Sequence, residues 1–295
     1  MTRLLVSALL LAALPLAAGD KKKDPNEIGD RKVSGSLNFY SMEQEIALGR
    51  QLSAEVRKQA HVIDDPIVSE YINRLGQNLV RNSDVTFPVS FTLLEGDEVN
   101  AFTLPGGFVY VNTAVLKLSD NEAELASVMA HELGHAAARH ATRQATRGDM
   151  ITMGSIPLMV FGGWAGLAAR QAAAVAAPMA FFQFSRAFES EADLLGIQYL
   201  WKAGYDPNAS VDMFERVEST ERRQPGSVSK LFRTHPLTPE RIEKTQKDID
   251  DLLPSRAEYV LNTSEYEEVR ARLMELTHER KPEAKEAAKP TLRRQ

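Results

Sequence analysis

The sequence predicts an α+β chain, mostly helical, with a small β-sheet beside one helix that carries a His-Glu-x-x-His spacing. Three observations predict this. Helical periodicity recurs near 41–60, 66–81, from Ser119 onward and over 186–203. Only two segments, 89–94 and 107–112, read as strands. The helix opening at Ser119 contains His131-Glu132-Leu133-Gly134-His135.

In chain order, residues 1–19 read as a secretory signal. Arg3 supplies the positive start, 4–18 the apolar run, and Ala17, Ala18 and Gly19 a small-residue cleavage region. Residues 20–38 are rich in Lys, Asp and Gly and read as a flexible leader. The main domain is expected over 39–255. In its second helix Ile67, Tyr71, Leu75 and Leu79 recur every fourth position as one apolar stripe. In the second strand Phe108 and Tyr110 alternate outward from Val109 and Val111, after a Pro105-Gly106-Gly107 turn. Ser119 with Glu122 forms a capping box, and Asp120, Glu122 and Glu124 suit the positive end of the helix dipole.

Residues 151–169 contain no charged side chain and are broken by Gly154, Pro157, Gly162, Gly163 and Gly166. As one helix they would span about 28 Å, close to a bilayer core. The breaks favour an apolar lid or hairpin over 151–182, with peripheral membrane contact through 151–169 as a second reading. The helix over 186–203 stops at Ala203-Gly204, with Pro207 beyond. A strand or helix extension is expected over 256–278 and a disordered tail over 279–295.

Composition narrows the function classes. The formal charge is −5 and no basic face is concentrated anywhere, so no nucleic-acid partner is expected. The chain has no cysteine, so any metal must be held by His, Asp or Glu.

Side chains four apart share a helix face, so His131 and His135 can hold one ion. Glu132 lies beside them, placed to reach a water rather than the metal, and fits the general base of a zinc peptidase. Three of the six histidines fall between 131 and 140, which argues against a chance pattern. His140 lies five residues past His135, rotated by about 140° on a continuing helix. It is therefore expected to pack beside the site rather than bind the metal. The third ligand is sought in Glu189-Ser190-Glu191-Ala192-Asp193. There Glu189 and Asp193 share a face and Glu191 points elsewhere; one can bind metal while the other orients a histidine. Thr234-His235-Pro236 by itself reads as a turn.

With these residues in view, the chain resembles metallopeptidase family 48, which includes the CAAX prenyl, HtpX-like and BepA-like proteases. The matching elements are His131 to His135 followed by Arg139-His140, Ser185-Arg186 before Glu189 to Asp193, and Thr234-His235-Pro236 with Arg241. The resemblance implies a gluzincin-like domain with one zinc on His131, His135 and Glu189, and Glu132 as general base. It makes Asp193 a partner of a ligating histidine. It places His235 and Arg241 near the substrate carbonyl, or His235 on the zinc as a cap. It likens the strand around 108–111 to the edge that pairs with an extended substrate.

The expectation is an exported endopeptidase, periplasmic or membrane-associated in the cell envelope, acting on unfolded or misassembled polypeptides. The alternative is a largely latent protease-fold chaperone or adaptor. An intact Glu132 favours the enzyme, because binding alone would not require it.

Overall fold

Helix α1 (Met42–Gln59) opens on a capping box. The Ser41 side chain accepts the Gln44 N–H, and the Gln44 amide oxygen accepts the Ser41 N–H at 2.8 Å. The computed structural model describes residues 21–35, 37–148, 184–223 and 235–286. The expected signal segment, the 151–182 lid and positions 287–295 of the tail lie outside the described residues.

Helix α2 (Pro66–Arg81) starts with Asp65 as N-cap and Pro66 in the first turn. It buries Val68, Tyr71, Ile72, Leu75 and Leu79, whereas Ile67 is 55% exposed. The expected stripe therefore holds at Tyr71, Leu75 and Leu79 and fails at Ile67. A strict every-fourth pattern drifts about 40° around the helix at each step, and only mixed three- and four-residue spacing stays on one face.

Strands β1 (Ser90–Leu94), β2 (Ala101–Leu104) and β3 (Phe108–Asn112) form one sheet in the order β1-β3-β2. β1 runs parallel to β3, and β2 antiparallel to it. β2 was not expected; its four residues are too few to show a period. β3, likened in sequence to a substrate-pairing edge, is the central strand, with its ladder groups taken on both sides. Tyr110 does not point outward to solvent. It is buried with Leu94 and Leu104, and its hydroxyl lies 2.6 Å from Ser53 Oγ, because α1 covers the second face of the sheet. Gly106, at φ 74°, turns β2 into β3; a Cβ there would meet Ile46 Cα of α1 at 2.6 Å.

α3 (Thr113–Leu118) leads to α4 (Glu122–Ala137). Ser119 closes α3, bonding back to the Val115 carbonyl, and does not start α4. The N-cap is Asn121, which accepts the Glu124 N–H, while Glu124 accepts the Asp120 N–H, both at 2.9 Å. The acidic first turn expected from sequence is kept.

α4 is the central element, buried along almost its whole length. Arg139 follows in the left-handed region at φ 56°, held by Glu45 and the Tyr40 carbonyl. The chain then turns into α5 (140–148), so the helix does not continue through His140 as the sequence argument assumed.

α6 (Arg186–Lys202) crosses α4 closely. A Cβ on Gly134 would lie 2.8 Å from the Ala192 carbonyl, and one on Gly196 would lie 3.1 Å from His131 Cα. Absent side chains at these two positions bring the acidic turn of α6 onto the histidine face of α4. α7 (Ala209–Arg223), α8 (Pro239–Leu252) and α9 (Ser264–Glu286) complete the described helices. Tyr266, Val269 and Leu273 of α9, which covers most of the expected extension, join the main core. Helix α9 also includes positions 279–286 of the expected tail.

The leader is likewise not loose over 21–35: Ile28 and Val33 are buried in the core, and Arg31 pairs with buried Asp84 at 2.9 Å. Among the described residues, no helix is long and apolar enough to cross a membrane.

Candidate metal centre and active site

Because α4 stays regular across the motif, His131 and His135 project from one face, with their Nε2 atoms 3.1 Å apart. The close crossing of α6 brings Glu189 to them, with carboxylate oxygens 3.6 Å from His131 Nε2 and 3.4 Å from His135 Nε2. His235, just before α8, completes the cluster. Its Nδ1 lies 3.4 Å from His131 Nε2 and 3.1 Å from Glu189 Oε1. These four side chains form a group able to hold one metal ion.

The spacing fits a tetrahedral ion. Bonds of about 2.0–2.1 Å put neighbouring ligand atoms roughly 3.4 Å apart; the His131, His135 and Glu189 atoms lie 3.1 to 3.6 Å from one another, and with His235 the group stays within 4.8 Å. The donor set, imidazole nitrogen with one carboxylate, suits zinc or a similar divalent ion.

Glu132 faces the cluster without belonging to it. Its Oε2 lies 2.9 Å from the Thr103 hydroxyl on β2, which also approaches the Glu132 carbonyl at 3.0 Å. Its Oε1 lies 3.3 Å from His235 Nε2. One imidazole thus touches both the metal-binding group and the carboxylate expected to act as base. Thr103 was missed in the sequence because it lies on the unrecognised strand.

The surrounding groups set the histidines' orientation. Asp193 Oδ1 approaches His131 Nδ1 to 2.9 Å, off the line of the ring N–H. Arg241 is held by residues around the cluster. Nε and Nη2 bond both Asp193 oxygens at 2.8 Å, and Nη1 reaches the Pro236 carbonyl and Glu189. His140 sits against His135, Nδ1 to Nδ1 at 2.9 Å, with Nε2 3.0 Å from Glu191. Glu191, expected to point elsewhere, therefore faces the site from its outer side. The left-handed turn at Arg139 makes this contact; sequence spacing contained no sign of it.

Burial alone would raise the carboxyl of Glu189, but the histidines around it, His235 foremost, hold it well below its ordinary range. Burial would likewise raise Asp193, and the Arg241 guanidinium and His131 hold it down. Two ionised carboxylates against one guanidinium leave the pocket negative. His131 accordingly rises to about 10, the two carboxylates outweighing its burial. His135 is pushed down to about 3, chiefly by burial. A divalent ion would supply the positive charge that the His131 proton otherwise provides.

Residues 66–249 match the model described as Peptidase family M48, a span that holds α4, Glu189, His235 and Arg241. The chain belongs to that family. It is 32% identical over 262 residues to a beta-barrel assembly-enhancing protease of Yersinia pestis, covering 85% of this chain and 53% of the relative. It is 34% identical over 247 residues to a putative beta-barrel assembly-enhancing protease of Vibrio cholerae, covering 81% and 50%. The mitochondrial metalloendopeptidase OMA1 of Schizosaccharomyces pombe is 33% identical over 156 residues, covering 50% and 43%. The chain spans about half the length of the assembly-enhancing relatives it matches. The matched span contains the whole buried histidine–glutamate group.

Proposed function

We propose that this chain is a zinc endopeptidase of the cell envelope that cleaves unfolded or misassembled polypeptides and is held latent by His235. One observation carries the reading: Glu132 is fixed by Thr103 beside four side chains grouped closely enough to hold one metal ion. When bound, zinc supplies a Lewis acid that polarises the scissile carbonyl and makes a water more acidic. His131, His135 and Glu189 hold it. Glu132 takes the proton of the attacking water and returns it to the departing amine nitrogen.

β2 pairs on one side with β3, and its Thr103 touches Glu132. An extended substrate adding to β2 would run past the base, with main-chain bonds supplying affinity and little sequence preference. A cleft of about 720 Å³, its open mouth included, adjoins Glu132 and His131. Val99, Val115, Val128, Met213, Val217 and Leu237 make its walls apolar, which suits the hydrophobic side chains that unfolded proteins expose. Export to the envelope rests on the signal-like amino terminus and on likeness to the assembly-enhancing proteases.

His235 supports latency. A catalytic zinc site keeps one position open for substrate, and here the His235 ring, which also touches the base, would take that position on a bound ion. Casein cleavage should disappear on chelation and return with zinc. His235→Ala should raise it several-fold, since a capping imidazole need be worth only about 1.4 kcal/mol to suppress activity tenfold. Unchanged cleavage in His235→Ala would remove the latch. A chaperone-like holding role is the second reading, favoured by the same closed position. Protection of unfolded substrate with no cleavage by either form would select it.

A further inference from the structure

Glu191 is not used by the reaction above, yet three side chains converge on it. It meets His140 Nε2 at 3.0 Å, Arg143 Nη1 at 3.0 Å and Lys22 Nζ at 2.6 Å. Lys22 and Arg143 have donors only, and they meet Oε1 and Oε2 respectively, so both oxygens of Glu191 act as acceptors. An acceptor at that place demands that His140 carry its proton on Nε2. His140 Nδ1 then has a lone pair, 2.9 Å from His135 Nδ1. His135 must therefore donate from Nδ1, which leaves its Nε2 unprotonated and facing the metal-binding group. Each step follows from the imidazole rule that the neutral ring has one donor and one acceptor.

Lys22 belongs to the amino-terminal segment, and that segment is built to hold it. Arg31, almost wholly buried, donates Nη1 to the carbonyls of Lys22 at 2.7 Å, Asp24 at 3.0 Å and Lys21 at 3.2 Å. Its other donors grip Asp84, and Nη2 reaches Gln198 Oε1 at 2.5 Å. The Gln198 amide donates to the same Lys22 carbonyl at 3.0 Å. Tyr199 donates to Asp84 at 2.8 Å, and Lys202 to the Ile28 carbonyl at 2.7 Å. Gln198, Tyr199 and Lys202 all belong to α6, the helix that carries Glu189 and Glu191. The segment is thus fastened to the same rigid element as the metal ligand.

We propose that Lys22 and Glu191 are positioning residues of the metal centre, the amino-terminal segment acting as a clasp that fixes the metal-competent tautomer of His135 through His140. The inference rests on the metal reading of the site. Outer partners of a ligating histidine characteristically set its orientation and affinity. In Glu191→Gln the amide can donate to His140 Nε2, which reverses the chain of donors and puts a proton on His135 Nε2.

The test uses the full chain, stripped of metal and titrated with zinc against a chromophoric chelator. Glu191→Gln should weaken zinc binding about tenfold, the lower end for outer partners, and Lys22→Met, one contact further out, about threefold. Lys22→Arg, which keeps the charge, should bind nearly as the parent does. Lys22→Met should add nothing in the Glu191→Gln background, because both act through one carboxylate. The proposal is overturned if Lys22→Met binds zinc as the parent does, or if its effect persists unchanged without Glu191. Lowered unfolding stability with unaltered zinc affinity would also overturn it, reducing the clasp to packing. A parent chain that takes up no zinc would overturn the metal reading itself. Zinc uptake by the parent with no peptide cleavage would leave the clasp standing and remove only the enzymatic reading.

Discussion

Glu132→Gln is expected to lower peptide-bond cleavage by about 10²–10⁴-fold, the usual contribution of a positioned general base, with zinc content unchanged. The amide matches the carboxylate in shape and can still accept the Thr103 hydroxyl, 2.9 Å from Oε2 in the parent. What it loses is the ability to take a proton from water and give it to the amine. Glu132 is separate from the group formed by His131, His135, Glu189 and His235, so the substitution leaves the ligand set complete. Casein cleavage and metal content should be measured on the same preparation. The most informative background is His235→Ala, where any activity released by opening the fourth position must vanish with Glu132→Gln. Cleavage persisting near the parent rate would remove Glu132 as the base. Joint loss of zinc and activity would mean that Glu132 acts in metal retention.

The second large effect is expected at Arg241. Its guanidinium is nearly buried, bonds both oxygens of Asp193 and touches Glu189. In Arg241→Ala two carboxylates held down in the parent lose their guanidinium and keep only the His131 proton as a cation in the metal-free chain. Breaking a buried pair from one side costs about 3–5 kcal/mol, and that cost should appear in urea unfolding of the metal-free chain. Zinc should restore part of it, because a divalent ion supplies positive charge to Glu189 directly. Arg241→Lys should recover little, since a single ammonium cannot reproduce the paired bonds to both Asp193 oxygens. A metal-free Arg241→Ala chain within about 0.5 kcal/mol of the parent, the range of an ordinary surface change, would contradict this account. The family resemblance alone set Arg241 beside the substrate carbonyl. In the structure its donors meet Asp193, Glu189 and the Pro236 carbonyl, so it also acts through the residue beside His131.

The parts legible in the sequence are those whose physics is local. A His-Glu-x-x-His spacing on one helix face sets two histidines side by side with a neighbouring carboxylate, because the angle per residue does so whatever surrounds the helix. Two of the three strands, the acidic first turn of α4 and the stop of α6 before Gly204 are read for the same reason. Errors by one or two positions, at Ile67 and Ser119, came from patterns that local spacing constrains only loosely. Glu189 was narrowed to a turn of helix by its spacing from Asp193, and selected only by family resemblance.

The tertiary structure decided everything that depends on two distant segments meeting. Gly134 and Gly196 let α4 and α6 approach until Glu189 reaches the histidines. The left-handed Arg139 turns His140 back onto His135, and β2 carries Thr103 to Glu132. The amino-terminal residues, charged and unpatterned in sequence, are ordered because Arg31 finds Asp84 and Gln198, more than fifty positions away. Charge and polarity show in a sequence; whether a charge meets its partner is settled only when the chain closes on itself. The sequence thus determined the chemistry this chain carries, and the packing of α4 against α6 determined where that chemistry can act.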